Sequence, residues 1–515
     1  LEIETPRLSG SIALKGARFD DLTLRNYHET VDEESANIVL LNPVGTEKPY
    51  HAEFGWLGQS GDLPTRATVW TADKPALTVN DPVTLSWTND KGVRFEQVIT
   101  LDQNYMFTVT QRVVNEAGEP LTVAPYGVIS RTGTPKVLGY YILHEGPVGF
   151  LGESLKEPKY DDLIDEGVVQ PAQKQETTGG WLGITDKYWL TALIPNKDAE
   201  VTKRYVYRKS GVIDTYQIDF LGAGVTVAPG ASGSSENHLF AGAKQVKILD
   251  SYEESLGIDR FDLAIDWGWF RWFEKPMLWL LRTIYDAVGN FGIAIIGLTF
   301  IVRGLMFPIA QKGFASMAEM KAIQPKMKAI QEKYKDDKQK QQQEIMELYK
   351  KEKVNPVAGC LPMLLQIPVF FALYKVLYLA IEMRHRQFLW IEDLSAPDPA
   401  NLANALSLVG IEVPQFLMII FGLGVLAVLL GFTMWLTFKL NPSQMDPMQQ
   451  KIFDIMPWIL MFVMAPFAAG LLLYWVTSNI LTLAQQKYLY SKHPQLKAAI
   501  EEEKAKKAAD AAKAG

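Results

Sequence analysis

The sequence predicts an all-β sandwich domain over residues 1–257, followed by an α-helical membrane bundle of five transmembrane helices with a cytoplasmic helical hairpin. Three observations predict it. Residues 1 to about 260 are mixed, polar and acidic, with short alternating runs between Gly, Pro and Asp turns. Residues 290–490 hold several apolar runs long enough to cross a bilayer, which takes about 20 residues per helix. The first of these runs carries one arginine, Arg303, and leads into a loop of eleven lysines. The mean hydropathy near zero averages over these two halves. So does the net charge of −7, with acid concentrated in the first half and lysine in that loop.

Within the first half, Thr84–Leu101 reads as a hairpin turning at Asn89–Gly92. Tyr105, Phe107, Val109, Gln111 and Val113 alternate with Met106, Thr108, Thr110 and Arg112, the period of a half-buried strand. Further strands follow at 126–131, 188–195, 204–208 and 215–221, with a turn at 227–233. Many short strands and few helical stretches make a large sandwich. The polar segment Glu153–Thr178 reads as a surface excursion. No metal-ligand spacing, phosphate loop or nucleophile motif occurs, so no cofactor and no metal are expected. His28, His51, His144 and His238 are scattered and read as structural or surface histidines. Trp56, Trp70, Trp87, Trp181 and Trp189 either pack the core or line a carbohydrate cleft; packing is the preferred reading. The one cysteine, Cys360, excludes an intrachain disulfide. The chain starts at Leu1 rather than Met, and a sixth, N-terminal transmembrane helix or signal is expected ahead of it.

Residues 258–288 crowd Trp267, Trp269, Trp272 and Trp279 around Arg271, Lys275 and Arg282, and are too short and charged to span. They read as an interfacial amphipathic helix, kinked or begun at Pro276. The first span, residues 289–311, holds Thr299 and Arg303 four apart on one face. An arginine at mid-helix costs roughly 2.5–3.5 kcal/mol on insertion scales. It either serves a function or snorkels to the headgroups. The loop Lys312–Asn355 has eleven lysines, no arginine and seven acids, which places it in the cytoplasm. Met317, Met320, Ile323, Met327 and Ile330 form an apolar stripe, and the break at 335–338 makes two antiparallel helices. Met317, Met320, Lys321, Met327 and Lys328 are candidate contact residues there.

The second span, 356–383, contains Pro362 and Pro368, with Gln366 its one deep polar group. A periplasmic loop, 384–413, has two arginines and four acids up to Pro414. A third span, 414–438, an inner loop, 439–454, a short fourth span, 455–466, and a fifth, 467–489, complete the bundle. In the fifth, Trp475, Ser478, Asn479 and Thr482 are spaced i, i+3, i+4, i+7, a polar stripe facing either a water-filled cavity or neighbouring helices. The tail, 490–515, is rich in Ala, Glu and Lys without a packing pattern.

The motifs FIVRGLMFPI (300–309), SMAEMKAIQPKMKAI (316–330), LYKKEKVNPVAGCLPMLLQIPVFFALYKVL (348–377), DPMQQKIFDIMP (446–457) and GLLLYWVTSNILTLAQQ (470–486) cover the membrane half. By these the chain resembles the YidC/Oxa/Alb family of bacterial membrane-protein insertases, of the type with a large periplasmic domain. The resemblance implies a periplasmic β-supersandwich and a hydrophilic groove within the inner leaflet, open to cytoplasm and lipid and closed outside. It maps the groove arginine onto Arg303, the span threonine onto Thr299 and the paired aromatics onto Tyr474 and Trp475. Gln366, Ser478, Asn479 and Thr482 join them as groove residues. Pro368, Phe370, Phe371, Met461 and Phe467 are candidates for an apolar slide. The implied partners are nascent membrane proteins, the ribosome and targeting factors, the Sec translocon (SecYEG, SecDF) and the lipid bilayer of the inner membrane, without sequence-specific nucleic acid. A channel or transporter would need more than one buried charge. A membrane-anchored carbohydrate-binding protein or enzyme would need a paired carboxylate in the β domain. A membrane chaperone role is compatible with insertion.

Overall fold

Alternation builds the first half. In the strand Met106–Asn115, Phe107, Val109, Gln111 and Val113 are fully buried, while Thr108, Thr110 and Arg112 are not. That strand pairs antiparallel with Val93–Leu101 on one side and Ser232–Ala243 on the other. The expected hairpin forms from Val83–Thr88 and Val93–Leu101. Its turn is set by Asn89, whose Oδ1 accepts from the Lys91 and Val93 amides, and by Gly92 at φ 85°. The protein is seen in a computed structural model that describes residues 1–59, 62–136, 143–166, 168–169, 177–352, 354–355, 361–411, 413–414, 417–440 and 447–492. It divides into two units, Leu1–Gly268 and Trp269–Gly515.

Among the described residues, the first unit is a sandwich of an eleven-stranded and a nine-stranded sheet. The Gln97 and Gln111 side-chain amides cross between the sheets to the Phe54 and Gly55 carbonyls, at 2.8 and 2.6 Å, and Asn237 donates to Gln111 at 3.0 Å. These buried amides therefore staple the two sheets. Phe19, Phe54, Phe107 and Phe220 fill the space between. Trp56, Trp70 and Trp181 are buried, Trp87 stacks on Phe95 and Trp189 meets Tyr27 edge-on, so all five tryptophans pack. The segment expected to be a surface excursion is partly core. Within it α1, Tyr160–Glu166, buries Tyr160 and Leu163, with the Tyr160 ring 4.5 Å from Tyr216; residues 170–176 lie outside the described set. Helix α2, Val246–Leu256, follows the last strand.

The expected interfacial segment is divided by the structure. Residues 258–268 belong to the β unit: Phe261 packs on Trp181 and Phe240, and buried Trp267 donates to the Asp262 carbonyl. The amphipathic helix is α3, Arg271–Val288, which buries Met277, Leu278 and Leu281 and exposes Trp272 and Trp279 on one side. Pro276 lies inside it, one turn from its start.

The second unit continues with α4, Phe291–Ala322, one uninterrupted helix with Pro308 inside it. It overruns the expected end of the first span because no breaker follows until Pro325, which stands in the first turn of α5, Gln324–Lys333. Asp337 caps α6, Lys338–Lys351, by accepting from the Lys340 amide. Then come α7, Leu361–Leu379, and α8, Leu402–Ser407. The expected third span is broken: α9, Met418–Phe421, stops at Gly422, and α10, Val425–Leu440, begins after Gly424. The expected inner loop is partly helical, since α11 runs Pro447–Met464. The last helix, α12, is Ala469–Lys492; the tail 493–515 and Cys360 lie outside the described residues. Among the described residues one helical stretch, Phe291–Gly313, is long and apolar enough to cross a membrane, with shorter apolar stretches at Leu364–Leu379 and Val425–Lys439.

Two outcomes test this fold. At Gly127 an added Cβ would overlap the Phe220 ring and press on Phe54, so Gly127→Ala is expected to destabilise the unit by about 1–3 kcal/mol, read by urea unfolding. Burial beside Arg66 and Arg18 pushes the His51 imidazole down to about 4. The unfolded chain therefore binds the proton first. Its contribution is complete above about pH 6.5 and is lost as pH falls toward 4. Melting curves of His51→Gln should show a flatter pH dependence in that window.

Candidate functional site

The site follows from polar residues on otherwise apolar helices. Helix α12 packs against α4, α7 and α10, and its polar residues meet one on each. Half-buried Arg303 of α4 donates to Ser478 Oγ through Nε at 2.9 Å and also through Nη2. Ser478 is 1% exposed. Among the described residues Arg303 makes no ion pair. Gln485 Nε2 approaches the Arg303 carbonyl at 3.4 Å. Gln366 of α7 donates to the Tyr474 hydroxyl at 3.1 Å. Asn479 donates to Thr433 Oγ1 of α10 at 3.2 Å.

The arrangement brings Arg303, Ser478, Gln366, Tyr474 and Asn479 into cross-helix pairs, but not every expected residue. Thr299 is fully buried and donates to the Ile295 carbonyl of its own helix. Thr482 likewise donates to the Ser478 carbonyl. Trp475 packs against the Phe370 ring at 4.6 Å. Thr433 and Gln485 were missed. Thr433 recurs with Thr437 at i+4 in an apolar run, a signal of the same kind as the stripe on α12.

Of the expected slide residues, Phe371 is well exposed. Pro368 and Phe370 are half-buried, Phe467 packs on Tyr374 and Met461 is buried against Gly431. The open apolar row on α7 is Leu364, Ile367 and Phe371, spaced i, i+3, i+7. In the hairpin, Met320, Met327, Ile330 and Tyr349 pack against a core of Ile323, Leu348 and Val354. Met320, on α4, and Met327, on α5, are thus part of the apolar seam against α6. Lys328 is exposed, and the side chains of Met317 and Lys321 lie outside the described residues. Lys326 pairs with Glu352 across the hairpin at 2.6 Å.

Chemically, this is a guanidinium in an apolar bundle whose acceptor is a neutral hydroxyl. It retains a net positive charge and unused donors, since arginine has five N–H groups.

Residues 1–280 match the family model described as the YidC periplasmic domain, and residues 283–496 the one described as 60Kd inner membrane protein. The chain is 49% identical over 494 residues to the membrane protein insertase YidC of Methylobacterium radiotolerans, covering 94% of this chain and 79% of that protein. It is 49% identical over 491 residues to the same-named protein of Mesorhizobium japonicum, covering 94% and 80%. A solved structure described as an active YidC insertase with its first transmembrane domain resolved matches 93% of this chain and 90% of its own, at a TM-score of 0.37 and 20% identity.

Removing the Ser478 hydroxyl strands a partly buried charge. Ser478→Ala is expected to destabilise the helical unit by about 1–3 kcal/mol, read as a lowered detergent melting temperature, with Ser478→Thr closer to the parent.

Proposed function

The chain belongs to the YidC family of membrane protein insertases, and from that premise we propose that Arg303 is the groove charge that receives the polar flank of a substrate during insertion. The protein is an inner-membrane insertase with a periplasmic domain, not an enzyme. In the proposed topology, residues 1–257 are periplasmic and five segments span, at 289–311, 356–383, within 414–438 through α10 alone, at 455–466 and at 467–489. The hairpin 312–355 and the C-terminus are then cytoplasmic.

The observation that carries the proposal is the pairing of Arg303 with a hydroxyl instead of a carboxylate. A structural arginine in an apolar bundle lowers its energy most by an ion pair. One held by serine keeps its field. In low dielectric that field is strong: two unit charges 4 Å apart attract by ~4 kcal/mol at an effective dielectric of 20. An acidic or polar flank entering from the cytoplasm would meet Arg303, while the hydrophobic segment behind it lies along Leu364, Ile367 and Phe371 and partitions into lipid. The groove around Arg303, Gln366, Tyr474, Trp475, Ser478, Asn479 and Thr482 shortens the hydrocarbon path the flank crosses. The lysine-rich hairpin would meet the nascent chain, ribosome or targeting factors first, with the Sec translocon (SecYEG, SecDF) as a second partner.

Insertion of a single-span substrate into proteoliposomes tests this. Arg303→Ala should lower insertion about tenfold or more for an acidic translocated flank, the equivalent of the ~1.5–3 kcal/mol of hydrogen bonds to a charged group. A flank stripped of its acids should lose much less. Equal insertion by both proteins for both substrates would make Arg303 a snorkelling or structural residue.

A further inference from the structure

We propose that residues 384–401 form a fixed cap that closes the groove at its outer end, with Asp398 as the positioning residue that holds it. The inference rests on the groove reading above and on the proposed topology, and it assigns to particular residues a closure that those readings leave unassigned.

Helices α4, α10 and α12 all begin at the end of the unit where this segment lies, and each start is tied to it. The Ala469 and Gly470 amides at the start of α12 donate to the Ala396 and Leu394 carbonyls, at 2.7 and 2.9 Å. At the start of α10 the Val425 amide donates to the Ala400 carbonyl at 3.1 Å and the Leu426 amide to Asp398 Oδ2 at 2.8 Å. At the start of α4, Asn290 donates to the Gln387 carbonyl at 3.3 Å. First-turn amides have no partner within their helix, so a segment that supplies acceptors to two helices and a link to a third fixes all three ends together.

Asp398 sits at the centre of this arrangement. It is 2% exposed. One oxygen takes Leu426; the other accepts from Trp390 Nε1 and from the Ala400 amide, each at 3.0 Å. Each of the three helix starts also has a glycine where the cap presses in. A Cβ on Gly292 would overlap the Phe388 ring, one on Gly424 would meet Asp398, and one on Gly470 would crowd the Leu394 carbonyl. The underside of the cap is apolar, with Ile391 and Leu394 buried. Arg282 of α3 pairs with Glu382 just ahead of the cap. Arg303 lies twelve residues into α4 from Phe291, roughly 18 Å below that end. The cap is therefore apolar beneath and hydrogen-bonded at its rim, the arrangement that stops water and ions reaching the groove from outside.

The test is passive potassium leak from liposomes containing the full chain, measured beside substrate insertion and detergent melting. Asp398→Ala should raise leak several-fold over the parent. Asp398→Asn keeps an acceptor for Trp390 and Ala400 but loses the one for Leu426, and should fall between. A merely structural Asp398 would lower melting and insertion while leak stays parental, and folded Asp398→Ala at parental leak overturns the proposal. If Asp398→Ala does not fold, Phe388→Ala leaves the carboxylate contacts alone and is read the same way: raised leak supports the cap, parental leak overturns it. Arg303→Ala is run alongside. Unchanged insertion in that variant removes the groove reading, whereas the leak result still decides whether residues 384–401 close this end.

Discussion

A guanidinium inside an apolar bundle must be hydrogen-bonded, and in the second unit the Ser478 hydroxyl meets that requirement for Arg303. Burying a charge is costly unless it is paired and hydrogen-bonded. Here the pairing is incomplete by composition: Arg303 has Ser478, a neutral acceptor. The polar groups around it, Gln366 with Tyr474 and Asn479 with Thr433, satisfy one another across helices. Four helices are thus joined through polar pairs on α12, while among the described residues no carboxylate cancels the arginine charge. A carboxylate at position 478 would cancel the charge and remove the field that distinguishes the site.

The β unit meets a different constraint. Its buried polar groups are spent on main-chain carbonyls of the facing sheet, as Gln97 and Gln111 show. Its histidines are engaged or buried: His28 bonds the Ser35 carbonyl, His144 the Pro147 carbonyl and His238 Thr108, and His51 is held neutral between arginines. Two lysines, Lys203 and Lys244, are buried deeply enough that desolvation lowers both to about 8, and both are hydrogen-bonded in place. These are features of a rigid sandwich.

What could be read from sequence was whatever repeats with a period or breaks at a proline or glycine. The alternation of 106–115, the turn at Asn89–Gly92, the hairpin break at 335–338 and the polar stripe on α12 are all of that kind. Arg303 was legible because its cost in an apolar run is large. The misreadings share a cause too. Tryptophan prefers both membrane interfaces and protein cores, so Trp267 and Trp272 look alike in sequence. One is buried in the β unit and the other is exposed on α3. The methionine stripe of the hairpin was periodic, but periodicity does not say whether a stripe faces a partner or the second arm; it faces the second arm. Asp398 was counted only as a loop acid. Its partners, Trp390 and Leu426, lie eight and twenty-eight residues away, beyond the reach of a local capping pattern.

The two ends of the helical unit now have opposite electrostatic roles in the proposed mechanism. Three helices begin at the capped end, and helix starts carry partial positive charge. Left bare, they would draw an acidic flank past Arg303 toward the far side. The Asp398 carboxylate and the Leu394, Ala396 and Ala400 carbonyls occupy first-turn amides of α10 and α12, which removes that attraction at the source. At the opposite end the lysines of the hairpin concentrate acidic segments near the entrance. Between the two, Arg303 is the position where a negative flank has its energy minimum. In the proposed mechanism the flank would pause there before it crosses, with the segment behind it beside the exposed apolar row of α7, where the remaining gradient leads into lipid.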